Sequence, residues 1–218
     1  MSYKLGIPKI RAEVPSGTSM LLLGDLFSGK DIFSKQFVSE GLKNGEACIL
    51  ISTNETVGKV LDDLGDVELE NLCIINCIPN RFRTSNHTPT PKQVRYADSP
   101  ADLTMIMTFT MEFLDLFSVN KEIKNIRVIL DSVSTLLMYS NLKTVFKFLH
   151  VFTNTLIANN CICLLTMEEG AHDEIEIKAI QQLNQAVIRM SDGKIQMKGF
   201  AQFESEYEVV DDEIILEK

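Results

Sequence analysis

The chain has 218 residues, 45% of them hydrophobic and 23% charged, with a net charge of −9 at pH 7. That length and composition suit a soluble protein with a substantial core, while the acidic balance argues against a general nucleic-acid binder, which needs a basic face. No apolar run approaches a membrane span and the opening MSYKLGIPKI lacks the apolar core of a signal peptide, so a cytoplasmic location is expected.

Residues 1–19 read as extended and end in the turn Pro15-Ser16-Gly17. Met20 to Leu23 then suit a buried strand, and Ile32 to Asn44 read as a helix stopped by Asn44-Gly45. Between them Gly24, Gly29 and Lys30 fall on the G-x-x-x-x-G-K spacing of a phosphate-binding loop. Strand, loop and helix come in the order the chemistry requires. Backbone N–H groups of Gly24, Asp25, Leu26, Phe27, Ser28 and Gly29, with the helix N-terminus, cradle polyphosphate while Lys30 reaches its terminal phosphates. Asp31 stands where a Ser or Thr hydroxyl would hold Mg²⁺, and Asp25 adds a carboxylate inside the loop. The plainer reading is a strand–turn–helix corner without a ligand.

Ala47 to Ser52 (ACILIS) is a continuous apolar run fit for a strand covered on both faces. Val57, Val60, Leu61 and Leu64 make a helical stripe closed by Gly65, and Leu72 to Asn76 form the third strand. Cys77 to Ser99 reads as a long surface loop, locally basic through Arg81, Arg83, Lys92 and Arg95. It suits an anion, partner or nucleic-acid contact, or no more than a solvated loop. Ser99, Pro100 and Asp102 fit the N-cap, N1 and N3 positions of a helix that runs to about Phe117. Ile126 to Leu130 is the fourth strand; Leu142, Val145, Phe146, Leu149, Phe152 and Leu156 stripe a further helix. Cys161 to Thr166 and Ala186 to Met190 add two more strands. Ser191-Asp192-Gly193 turns the chain into Lys194 to Lys198, so the end reads as antiparallel hairpins. Alternating strands and helices predict an α/β fold, a mostly parallel sheet with helices on both faces, in a single domain over residues 1–218.

Asp131, at the end of the strand RVIL, is placed to hold Mg²⁺ through water. Glu55, beyond the second strand, is the best placed base to orient an attacking water. Capping of the next segment by Asp131-Ser132, and stabilisation of a helix N-terminus by Glu55, are the plainer alternatives. His172-Asp173-Glu174 suits a loop and helix cap better than a metal or acid–base site. The five cysteines, mostly in apolar runs and without zinc-site spacing, read as buried reduced thiols.

Read together, VPSGTSMLLLGDLFSGKD, FVSEGLKNGEACILISTNET, RVILDSVSTLL and CICLLTMEEG resemble the KaiC-like branch of the RecA-type ATPases. EGLKNGE and LDSVSTLL are more specific than the phosphate loop alone. The resemblance implies a RecA-like P-loop core that often assembles into hexameric rings with ATP between subunits, and many archaeal single-domain members with regulatory roles. It matches Lys30 to the phosphate lysine and Asp131 to the Walker B aspartate. It also aligns Lys198 with a basic residue set against the neighbouring subunit's phosphates. The usual pair of glutamates after the second strand is Asn54-Glu55 here, so the first, the usual catalytic one, is missing; Leu26 and Phe27 replace small loop residues. The expectation is a regulatory protein that binds ATP, with Mg²⁺ where present, and hydrolyses it slowly or not at all, with an unidentified protein partner. A degenerate scaffold working by protein contacts alone is the alternative, followed by a recombination mediator touching single-stranded DNA through Arg81 to Arg95.

Overall fold

The structure, a computed structural model, describes residues 2–10, 12–78 and 93–217. A short antiparallel pair, β1 (Ser2–Tyr3) and β2 (Val14–Pro15), leads into β3 (Ser19–Gly24), α1 (Lys30–Lys43), β4 (Ala47–Ser52), α2 (Val57–Leu64) and β5 (Leu72–Asn76). The chain continues through β6 (Gln93–Tyr96), α3 (Leu103–Asp115), β7 (Ile126–Asp131), α4 (Val133–Tyr139), α5 (Leu142–Ala158) and β8 (Ile162–Glu168). Then come α6 (Glu174–Gln181), β9 (Ala186–Ser191), β10 (Lys194–Lys198), β11 (Phe203–Val210) and β12 (Glu213–Leu216). Among the described residues one sheet of ten strands runs in the order β12-β11-β10-β9-β3-β8-β7-β4-β5-β6. From β9 to β6 all neighbours are parallel; β9 to β12 are antiparallel, the mostly parallel α/β sheet with closing hairpins that the alternating pattern predicts.

Both faces are covered because the central strands carry long apolar runs, and their period of two sends alternate residues to opposite sides. Met20 and Leu22 of β3 pack in one cluster with Phe33 and Phe37 of α1 and Val60 of α2. Leu21 and Leu23 pack in the other with Phe113 of α3 and Phe152 and Leu156 of α5. The chain steps one way across the sheet from β3 to β4 to β5, then back through β7, β8 and β9. Right-handed crossovers therefore put α1 and α2 on one face and α3, α5 and α6 on the other. Arg127 of β7, 1% exposed, fastens α1 to the sheet on the first of these faces. Its guanidinium pairs with Glu46, donates to the Phe37 carbonyl at 3.0 Å and lies over the Tyr3 and Phe37 rings. Gly41 makes room for it, since a Cβ there would lie 2.6 Å from Arg127 Cδ.

Several boundaries differ from the sequence reading. The predicted loop over Cys77 to Ser99 contains β6, an edge strand paired with β5; only its Arg95 among the basic residues is described, and that side chain is paired with Glu112. Arg81, Arg83 and Lys92 lie outside the described residues. Ser99 does not cap α3: its Oγ accepts from Ala101 N in a preceding turn, and Asp102 caps α3 by accepting from Met105 N at 3.1 Å. A carboxylate so placed satisfies an orphan first-turn amide, so the helix starts three residues later than expected. The predicted end near Phe117 becomes a π-helical turn, Leu116–Asn120. The helix α4, too short to show periodicity, has no counterpart in the sequence reading; Ser132 caps it, accepting from Thr135 N. The five cysteines are all buried and free, and burial pushes the Cys48 thiol up to about 12.

Candidate functional site

The C-terminal ends of β3, β8, β7 and β4 lie side by side, the position where open parallel sheets bind ligands. Gly24 pairs with Glu168, and Ser52 with Asp131. Thr166 Oγ1 donates to Asp131 Oδ1 at 2.5 Å across the adjoining β7–β8 pair. The phosphate-type loop thus sits one strand away from Asp131, with β8 between them.

The loop is held from below. Ser28 N donates to the Asp25 carbonyl at 3.1 Å, and Ser191 Oγ to Asp25 Oδ2 at 3.0 Å. The Tyr207 hydroxyl donates to the Ser28 carbonyl, and the Ser28 hydroxyl is packed so close to Gly24 that a Cβ there would collide with it. Gly29 caps α1 in the left-handed region (φ 81°), and no side chain satisfies the first-turn amides, which lack intrahelical acceptors. Leu26 and Phe27 point outward, 67% and 92% exposed, with Phe27 held at φ 65°. A bulky residue in that region costs about 1–2 kcal/mol, imposed by the loop's turn.

Lys30, the first residue of α1, is 7% exposed. Its Nζ lies 2.8 Å from Glu168 Oε2 and 3.4 Å from Asp31 Oδ1. Burial opposes its charge, but the hydrogen bonds and charges of the two carboxylates outweigh that and raise its pKa above the ordinary lysine value. Asp131 is not a cap; burial raises its pKa, with Asp31 and Glu168 adding to the shift and Thr166 and Lys30 opposing it. Glu55 is raised as well, first by burial and then by Asp63 and Asp131. It does not cap α2 either, since the Thr56 side chain does so by accepting from Lys59 N. Asn54, where the resemblance expects a glutamate, takes a hydrogen bond from Thr135 Oγ1.

A cleft of about 340 Å³ between α1 and α2 is lined by Lys30, Asp31, Glu55, Asp131 and Glu168, with Lys35, Lys59 and Asp63 further along it and Val38, Leu50, Val60, Leu64 and Ile129 as its apolar wall. The structure therefore brings Lys30, Asp31, Glu55 and Asp131 together. It does not bring Lys198 to them: Lys198 pairs with Val187 and Val187 with Leu21, three residues back from Gly24 along β3. Any contact it makes with phosphate needs a neighbouring copy. Asp173 caps α6, accepting from Glu176 N at 2.9 Å, and His172 Nδ1 lies 3.2 Å from Glu176. Glu168 was missed from the sequence. The sequence reading ends this strand at Thr166, whereas it runs to Glu168, so the acid that closes it carries no strand-end signal. Tyr207 carried no signal, because only the fold brings β11 under the loop.

A model of the family described as "Family of unknown function (DUF7504)" matches residues 17–190. No curated protein matches the chain. Among solved structures it is similar to a KaiC-like protein of the hyperthermophilic archaeon Pyrococcus horikoshii OT3, at 16% sequence identity and a TM-score of 0.70, covering 100% of this chain and 99% of that one. The likeness shows a KaiC-like, RecA-type fold. Among the described residues no helix is long and apolar enough to cross a membrane.

Proposed function

We propose that this chain, which belongs to the DUF7504 family of unknown function and has a KaiC-like fold, is a regulatory protein that binds ATP or ADP and hydrolyses ATP slowly or not at all. The observation that carries the reading is the loop ending in left-handed Gly29, which sets the uncapped first turn of α1 and the buried Lys30 at one point, beside Asp131. Amides and a fixed ammonium are what a polyphosphate needs. Asp131, at the end of β7 and in the lining of the cleft, would hold a nucleotide's Mg²⁺ through water. Slow turnover follows from Asn54, whose amide cannot serve as a general base and is engaged by Thr135. Glu55 is the remaining base, its pKa raised first by burial and then by Asp63 and Asp131.

Calorimetric titration with ATP and ADP, with and without Mg²⁺, tests the reading. The expected result is a dissociation constant between micromolar and millimolar that is lost in Lys30→Ala, with phosphate release near background. No heat and no thermal shift at saturating nucleotide would favour the second reading, a scaffold acting by protein contacts alone. That reading draws on one observation: Lys30 is already paired with Glu168 and Asp31.

A further inference from the structure

We propose that Glu168 is a built-in competitor for Lys30, so that the loop accepts a polyphosphate only when this carboxylate lets go; the proposal rests on the nucleotide reading above. Glu168 ends β8, directly across from Gly24, so its side chain starts at the root of the phosphate loop. Oε2 takes Lys30 Nζ at 2.8 Å, closer than Asp31 at 3.4 Å. Asp31 is a loose partner with its side chain 72% exposed, whereas Glu168 is 24% exposed and next to a lysine at 9%. A phosphate oxygen bound by Lys30 would meet the Glu168 charge at once, and two anions of that kind at one buried ammonium repel.

The pairing is also incomplete, which makes it releasable. Oε1 of Glu168 is buried and has no hydrogen-bond partner. Leaving a carboxylate oxygen dry opposes the gain from the ion pair, and rotation toward the solvent already reached by part of the side chain would hydrate it. The backbone would not have to move with it, because Glu168 N is held by Ser134 Oγ at 2.8 Å. Glu168 therefore sets affinity and timing at this site, while Lys30 and the loop amides set the ligand class, a di- or triphosphate.

The test is titration of the full chain with inorganic pyrophosphate, ADP and ATP, in EDTA and in Mg²⁺, for wild type, Glu168→Gln and Glu168→Gln/Lys30→Ala. Glu168→Gln should tighten binding by about tenfold in EDTA, where no cation screens the charge, and Lys30→Ala in that background should abolish the gain. Binding by Glu168→Gln but not by wild type would support the competitor and overturn the nucleotide reading for the native chain. Equal affinities would overturn the competitor and leave that reading standing. Silence from all three proteins would overturn both. Should Glu168→Gln melt out, Glu168→Asp withdraws the charge by one methylene, and unchanged affinity in that variant overturns the proposal equally.

Discussion

Asp131 shows what burial does to a single carboxylate. The strand RVILD leaves it at the sheet's C-terminal end with one short hydrogen bond from Thr166 and two other carboxylates, Asp31 and Glu168, close enough to raise its pKa. A group whose folded-state pKa lies above its unfolded value binds protons more tightly in the native state. Stability then falls as pH rises from about 4 through the raised folded value. Asp131→Asn removes the ionisation and keeps an oxygen for Thr166 to donate to. It should melt at a higher temperature than wild type at pH 7, and the two should converge below about pH 4. Thermal melts across that range decide it; a wild type that stays the more stable at pH 7 would mean that the carboxylate is favoured by the fold.

At the scale of elements, the loop over residues 24–29 rests on the C-terminal strands. Tyr207 of β11 donates its hydroxyl to the Ser28 carbonyl, a Cβ on Gly29 would approach Val209 to 3.0 Å, and Ile214 N of β12 donates to Gln36 Oε1 of α1 at 3.0 Å. Together with the Ser28 amide bound to the Asp25 carbonyl, this fixes the loop's conformation. Tyr207→Phe keeps the ring and removes that bond, a loss of about 0.5–1.5 kcal/mol. Hydrogen exchange of the peptide spanning residues 24–30 should quicken by up to about tenfold, with α5 unchanged. Unchanged exchange in the loop would show that ring packing alone supports it. These strands lie beyond the matched residues 17–190, so the support is a feature of this chain that the family match does not cover.

At the scale of the whole molecule, the same sheet keeps Lys198 away from its own loop, so its expected role requires an assembly. If KaiC-like contacts form, light scattering should report a species larger than a monomer with saturating ATP, and Lys198→Ala should weaken nucleotide binding only in that species. A monomer at every nucleotide concentration would remove the basis for Lys198. The sequence by itself determined the sheet's central strands, because runs such as MLLL, ACILI and VIL are continuously apolar and suit burial on both faces. Spacing and places near strand ends also singled out Gly24, Gly29, Lys30 and Asp131, and the structure brings Lys30 and Asp131 into one cleft. Only the tertiary structure decided who Lys30's partner is. Glu168 lies 138 positions further along the chain and meets it through the parallel register of β3 and β8. The same holds for Tyr207 beneath Ser28 and for the edge strand Gln93–Tyr96, whose pairing depends on β5 offering it a free edge. Periodicity and motif spacing read interactions that are local or repeated along the chain. A pair set by strand order has no local pattern, so it becomes visible only when the sheet is assembled.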